Sequence, residues 1–348
     1  MKAFNYQRPA RLSDAIEMAA ADGAMLYAGG TTMLDLMKLG VYRPETVVDI
    51  TFLREPSMKR VAVDGDRLRM GALVTMHDAA ENADVKVRAP AISESLWLAA
   101  SQQLRHMATL GGNVMQRTRD PYFRDPAWIE LVEAGDAAPM PGTGYGNTPY
   151  GDGRLTKVHE AGRLSAVLGT TETDTASYPG DLAQSLVAFE ATVEIDGPNG
   201  ARTMPFAELH IAPSDKANET DYARLEPGEI ITGFSVPLNA MTQRSIYLKA
   251  RDRESYAFAN ASAAVGLEMD GETVRDVRIG LGGVATVPWR STAAEDAIRG
   301  LALTEENALA AGRAAFRNAK THEANAFKVP LGAQVIAKAL MTLKRMEG

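Results

Sequence analysis

The segment from Leu26 to Leu39, LYAGGTTMLDLMKL, forces a sharp change of chain direction. A short apolar strand runs into a Gly-Gly pair and two threonines follow. Helical spacing then begins at once, with Leu34 and Met37 on one face. Gly29 and Gly30 can take φ > 0 and leave their backbone uncovered by a Cβ. Thr31 or Thr32 suits the N-cap, and Lys38 with Gly40 suits the C-terminal end. This order gathers unpaired N–H groups, two hydroxyls and the positive end of a helix dipole around one small volume. Such a volume suits a pyrophosphate. An ordinary strand–turn–helix corner uses the same residues, so this stretch alone leaves both readings open.

The side-chain inventory narrows the chemistry. A chain of 348 residues, 45% hydrophobic and 23% charged, is globular and long enough for two or three domains. A net charge of −7 and the lack of any basic tract argue against nucleic-acid binding. No apolar run approaches the roughly 18 residues of a membrane span. The opening MKAFNYQRPARL has no apolar h-region, so no export signal and a cytoplasmic location are expected. The chain contains no cysteine, which excludes disulfides, a cysteine nucleophile and any iron–sulfur cluster held by thiolates. The five histidines (His77, His106, His159, His210, His322) form no ligand-like pair, so zinc is not expected. No G-x-S-x-G elbow, Walker A loop or G-x-G-x-x-G is present, and no residue set forms an acid–base pair. The chemistry therefore falls to a bound organic cofactor.

The chain reads as α+β. An amphipathic helix is expected over 13–21, ending at Gly23, and a short buried strand over 47–50. Hairpins are expected around Asp64-Gly65, over 197–200 and around Asp270-Gly271. Helices are expected over 304–316 and 331–346. Residues 116–178 are dense in Pro, Gly, Asp and Thr, with weak periodicity, and read as an extended insertion. Residues 237–243 read as a linker. It would join an N-terminal cofactor module, 1–236 (subdomains of about 1–55 and 56–236), to a C-terminal α+β module, 244–348.

Three further segments suit a cofactor. QLRHMATLGGN, 103–113, places a second Gly-Gly pair between Thr109 and Asn113, where backbone can lie flat against a planar or phosphorylated ligand. YPGDL, 178–182, presents Asp181 either to sugar hydroxyls or as the N-cap of the apolar run that follows. YLKARDRESYA, 247–257, alternates Lys249, Arg251 and Arg253 along one strand face, as a solvated edge or as cations beside an electron-rich ring. The glycine-rich run 280–286 reads as a strand bend.

In order along the chain, MKAFNYQRP, AGGTT, GALVT, ATLGGN, YPGDL, YLKARDR, GGVATVPWR and NAFKVPL resemble the FAD-binding subunit of molybdenum hydroxylases. That group includes xanthine dehydrogenases and aldehyde oxidoreductases, and the likeness covers nearly the whole chain. It implies a two-subdomain, PCMH-like FAD-binding module followed by a C-terminal domain of antiparallel sheet and helices. It also implies an electron-transfer role. A molybdenum-cofactor large subunit oxidises substrate, [2Fe–2S] centres on a small subunit relay the electrons, and FAD in this chain passes them to an external acceptor. Residue by residue, Met25, Leu26, Tyr27, Ala28, Gly29, Gly30, Thr31, Thr32 and Met33 would wrap the pyrophosphate. Thr109, Gly112 and Asn113 would line the ribityl and flavin, and Asp181 would bond ribityl or ribose hydroxyls. Ile230 or Ile231 would pack beside the adenine or ring. Lys249 would sit at the pyrimidine edge and tune the flavin, with no acid–base catalyst in the chain.

QRTRDPYF, 116–123, draws the likeness towards the periplasmic aldehyde oxidoreductases, which resemblance also makes export on a partner's signal an alternative to the cytoplasm. In that subgroup the insertion carries four cysteines around a [4Fe–4S] cluster. Here those positions fall on Asp120, Asp136, Tyr145 and Asp174. Carboxylate and phenol oxygens are poor ligands for soft cluster irons, so no cluster is expected. A hard cation is not expected either, because the spacing follows no loop rule. A stand-alone FAD oxidoreductase and a flavin-free assembly subunit are the alternatives on the same residues.

Overall fold

The computed structural model describes residues 1–121, 123–126, 162–172, 174–217 and 222–346. Two of the four cluster-equivalent positions, Asp136 and Tyr145, lie outside the described residues.

A three-stranded parallel sheet opens the fold. Its strands β1 (Asn5–Gln7), β2 (Ala24–Tyr27) and β3 (Thr46–Asp49) run in the order β1-β3-β2. The helix Leu12–Ala19 crosses between β1 and β2, and Met33–Leu39 crosses between β2 and β3. Gly40, at φ 84°, closes the second helix in the left-handed conformation that glycine adopts without strain.

A five-stranded antiparallel sheet follows, in the order β4-β5-β8-β6-β7. It contains β4 (Val61–Asp64), β5 (Arg67–Gly71), β6 (Thr192–Asp196), β7 (Arg202–Pro205) and β8 (Ile230–Pro237). The expected hairpins β4–β5 and β6–β7 form, and β8 enters between them, pairing with β5 and β6. Between β5 and the second glycine pair lie four short helices, Met76–Glu81, Ala83–Arg88, Pro90–Trp97 and Gln102–Arg105. Asn82 divides the first two, accepting bonds from the N–H groups of Asp84 and Val85, and Pro90 starts the third.

The C-terminal domain is a four-stranded antiparallel sheet, β12-β11-β10-β9, covered by helices. Its strands are β9 (Ser245–Ala250), β10 (Ala261–Asp270), β11 (Thr273–Gly282) and β12 (Trp289–Arg290). The helices Thr292–Ile298, Glu305–Ala314 and Lys328–Arg345 bury Ile298, Ala311, Ile336 and Leu340 against it. The bend expected over 280–286 comes at Gly283, just past β11, with φ 71°.

Residues 237–243, read as a linker, form a packed corner. Asn239 and Thr242 cap the helix Ala240–Gln243 reciprocally, and Met241 and Thr242 are buried. The far arm of the 116–178 insertion, in turn, packs on the C-terminal domain. Val167 and Leu168 belong to its core, and their N–H groups donate to Val284 O at 2.8 and 3.0 Å. Asn325 Nδ2 donates to Ala166 O, and Lys320 N to Val167 O.

Lys328 completes this seam. Its side chain is buried, and Nζ donates to Gly283 O at 2.6 Å and Leu164 O at 3.2 Å, with no carboxylate partner among the described residues. Burial, with repulsion from Arg163, pushes its ammonium down to about 7. An unfolded lysine titrates near 10.4, so between about pH 7 and 10 the unfolded chain binds the extra proton. Over that window Lys328 makes stability rise with pH; below it both states are protonated and the penalty is complete. Thermal midpoints should therefore climb more steeply with pH for the wild type than for Lys328→Met between about pH 7 and 10. Identical slopes would mean the lysine titrates normally.

Candidate functional site

The two glycine turns meet at one cavity of about 380 Å³. One wall is the first turn: Ala28, Gly29, Gly30, Thr31, Thr32 and Met33, with Met25 and Leu26 behind them. Thr109, Gly111 and Gly112 form the facing wall, and Ile230 and Ile231 close one side. The helix Met33–Leu39 begins with its N-terminal N–H groups towards this space, and the Thr32 side chain caps none of them.

Close backbone approach makes the glycines necessary. A Cβ on Gly29 would lie 2.0 Å from Met107 O, so this turn rests directly on the chain leading into the second turn. A Cβ on Gly30, at φ 70°, would meet the Tyr27 ring at 2.5 Å. Gly112 differs: its nearest neighbour is Thr109 Oγ1, at 3.1 Å from a built Cβ, and its N–H donates to that hydroxyl. Thr109 thereby caps the helix Leu110–Val114. The far end of that helix is tied down by two buried donors, since Tyr178 Oη and His210 Nε2 both donate to Val114 O at 2.9 Å. Burial pushes His210 down to about 4, which keeps it neutral and fixes the proton on Nε2.

Eleven of the fifteen expected binding residues thus line one cavity: Met25, Leu26, Ala28, Gly29, Gly30, Thr31, Thr32, Met33, Thr109, Gly112 and Ile230. Tyr27 points to the other face of the loop, into a second cleft shared with Tyr6, Phe52 and His106. Asn113 sits behind Gly112, with Nδ2 3.4 Å from Met76 Sδ and a buried Oδ1 that accepts no bond.

Asp181 and Lys249 are joined to each other, outside that lining. Asp181 precedes the helix Leu182–Ala188, yet its carboxylate caps no N–H. It accepts instead from Lys249 Nζ at 2.7 Å and from Tyr247 Oη. Both side chains are nearly inaccessible, 5% and 1% exposed. Residues 247 and 249 share one face of β9, and this places both donors against the 180–181 turn. Burial pushes the Asp181 carboxyl up, and Lys249 and Tyr247 pull it back. Burial and the facing Asp181 carry the Tyr247 phenol well above its ordinary value. Arg251 and Arg253 do not continue the stripe, because β9 ends at Ala250. Lys249 and Arg251 both donate to Leu98 O.

Sequence reasoning missed Tyr42, Tyr222, Leu225, Glu226 and Glu229, which also line the cavity. The Glu-Pro-Gly-Glu turn at 226–229, just ahead of β8, was the available signal for the last two. Of the cluster-equivalent positions, Asp174 binds Lys216 Nζ at 2.6 Å and Asp120 accepts from Phe123 N at 3.2 Å. Among the described residues, no group of three acidic or histidine side chains is placed to hold a metal ion.

Two glycine turns opening on one cavity between a parallel and an antiparallel subdomain, with a helix-covered sheet behind, define a dinucleotide-binding subunit. Residues 2–239 match the family described as the FAD binding domain in molybdopterin dehydrogenase, and residues 246–343 match the CO dehydrogenase flavoprotein C-terminal domain. The chain belongs to this family, the FAD-binding subunits of molybdenum hydroxylases. It is 34% identical over 346 residues to the aldehyde oxidoreductase FAD-binding subunit PaoB of Escherichia coli K12, covering 98% of each chain. It is 25% identical over 344 residues to the carbon monoxide dehydrogenase medium chain of Hydrogenophaga pseudoflava, covering 97% and 96%. Among solved structures, quinoline 2-oxidoreductase from Pseudomonas putida 86 shares the fold, with a TM-score of 0.72 at 20% identity over 98% of each chain. Carbon monoxide dehydrogenase from H. pseudoflava does so at 0.71 and 24%, over 97% and 96%.

Removing one partner of a buried ion pair leaves an uncompensated charge and costs about 3–5 kcal/mol. Asp181→Asn and Lys249→Met should each lower urea stability by about that amount. The double variant should lose clearly less than the sum. Additive losses would mean that the two side chains do not interact.

Proposed function

We propose that this chain is the FAD-binding electron-transfer subunit of a multi-subunit molybdenum hydroxylase. Its partners would be a molybdenum-cofactor large subunit and a [2Fe–2S] small subunit, and an external acceptor would take the electrons from it. The convergence of the Gly29-Gly30 and Gly111-Gly112 turns on one cavity supports this reading most directly. The residues fit a dinucleotide. The glycines let backbone approach a pyrophosphate, Ile230, Ile231 and Leu225 offer an apolar wall to a planar base, and the buried Asn113 Oδ1 has an unused acceptor.

Bound FAD supplies the redox chemistry, storing electrons and releasing them to the next carrier. The chain's own residues bind and orient it. Met25 to Met33 hold the pyrophosphate with N–H groups and the Thr31 and Thr32 hydroxyls. Thr109, Gly112 and Asn113 flank the ribityl chain and ring, and Ile230 packs beside the adenine. Asp181 and Lys249 are joined to each other outside the cavity lining, and Tyr247 fixes the carboxylate's orientation. Among the described residues, no helix is long and apolar enough to cross a membrane. Function in the cytoplasm, or in the periplasm on a partner's signal, accords equally with that.

Flavin and iron analysis of the purified chain tests the reading. FAD near one per chain is expected, with no iron at cluster stoichiometry. Gly30→Val, which drives a branched side chain into the Tyr27 ring at a left-handed position, should weaken FAD binding by about tenfold or more. Gly112→Ala, tolerated by the fold, should weaken it less. A wild-type chain without affinity for FAD would refute the assignment, and iron at about four per chain would overturn the ligand argument.

A further inference from the structure

Three arginines lie close together in the chain where the insertion leaves the cofactor module. Two of them are compensated: Arg124 and Arg119 both reach Asp35, at 2.6 and 3.5 Å. Arg117 has no carboxylate partner among the described residues. Its guanidinium is held between two rings instead, 3.9 Å from the Tyr222 centroid and 4.7 Å from that of Phe123. It also acts on the Tyr42 hydroxyl, which burial pushes up to about 12 and Arg117 pulls down.

Tyr42 and Tyr222 are both lining residues of the cofactor cavity. Tyr42 packs beside Met33, the residue that begins the helix at the first glycine turn. Arg117 therefore stands behind the wall next to that turn. Stacking on aromatic faces fixes a guanidinium while leaving its in-plane donors available, and its charge persists at every working pH. The acidic residues of the cavity, Glu226 and Glu229, lie towards β8, and Glu229 is already paired with Arg202.

We infer that Arg117 is a further ligand-positioning residue: it holds Tyr42 and Tyr222 as one wall of the cavity and supplies the positive charge that acts on the phosphates of a dinucleotide bound there. The inference rests on the FAD reading. It adds a charge from the insertion to a glycine turn otherwise built from backbone and hydroxyls.

The test uses the full chain stripped of flavin and compares FAD, ADP and riboflavin as probes, across a range of salt concentrations. Arg117→Gln should weaken FAD and ADP by about tenfold, leave riboflavin within about twofold, and flatten the salt dependence of ADP binding. Arg117→Lys, which keeps the charge and loses the stacking fork, should retain most of the ADP affinity and the wild-type salt slope. Equal losses for all three probes would reduce Arg117 to a structural support and overturn the inference, as would unchanged ADP binding. Wild-type protein that binds neither FAD nor ADP would instead refute the cofactor reading itself. Melting curves of the unliganded variants separate any folding defect from a loss of binding.

Discussion

The site depends on one close contact between two stretches of backbone. Gly29 lies against Met107 and Ala108 so tightly that even a methyl group would overlap the Met107 carbonyl. Without that contact the first glycine turn would stand off from the second and no shared cavity would exist. The segment 71–76 acts as the common support. Ala72 N donates to Thr232 O in β8, Ala72 O accepts from Gly111 N, and Val74 O accepts from Leu110 N. Met76 N returns the connection to Ala108 O. Three segments from different parts of the chain, 71–76, 108–111 and β8, are therefore locked by main-chain bonds, which depend little on side-chain identity. Such a frame tolerates wide sequence change while its glycines do not.

How much of this was legible in the sequence follows from the range of the interactions. The first turn, its helix and the Gly40 stop are local, and glycine, threonine and spacing announce them. The hairpins at Gly65 and Gly271 are local too. Strand β8 escaped because ITGFSVP carries a glycine and no clean alternation; it is made by partners on both sides that are far away in the chain. The helices between Met76 and Trp97 are each too short for a periodic signal, and their boundaries rest on single caps at Asn82 and Pro90. Eleven of the expected binding residues converge because they belong to two such local turns, plus Ile230. Asp181 and Lys249 lie 68 positions apart, and neither local pattern indicates that the other will neutralise it.

The insertion shows a different economy. Its first described part, through Asp120 and Arg124, stays on the cofactor module, against Asp35 of the second crossover helix. Its return arm lies on the C-terminal domain, bonded to Val284 and clamped by Asn325 and Lys328. Thr118 Oγ1, donating to Ser177 O at 3.0 Å, ties the two ends together. At two of the positions where the resemblance implied cluster ligands, Asp174 makes an ion pair with Lys216 and Asp120 caps a turn. At both of these described positions a carboxylate joins a neighbouring protein group.

An electron relay has different mechanical needs from an enzyme that closes over its substrate. Tunnelling distances must stay constant, so the module that holds the cofactor should not rock against the domain behind it. The packing meets that need. Tyr247 of β9 and Ala264 of β10 belong to the same buried core as Leu186, Phe189 and Phe234 of the cofactor module. Around this apolar seam, Ala91 N donates to Ser245 Oγ, Tyr247 N to Glu94 and Arg290 to Glu190. The Asp181–Lys249 pair lies inside the same seam. A buried ion pair adds little net stability over apolar residues of the same volume, because desolvation offsets the attraction. Its directional bonds do, however, penalise any shift of β9 against the 180–182 turn. Rigidity between the two domains then comes from these two side chains, which accounts for placing a costly pair where a hydrophobic one would pack as well.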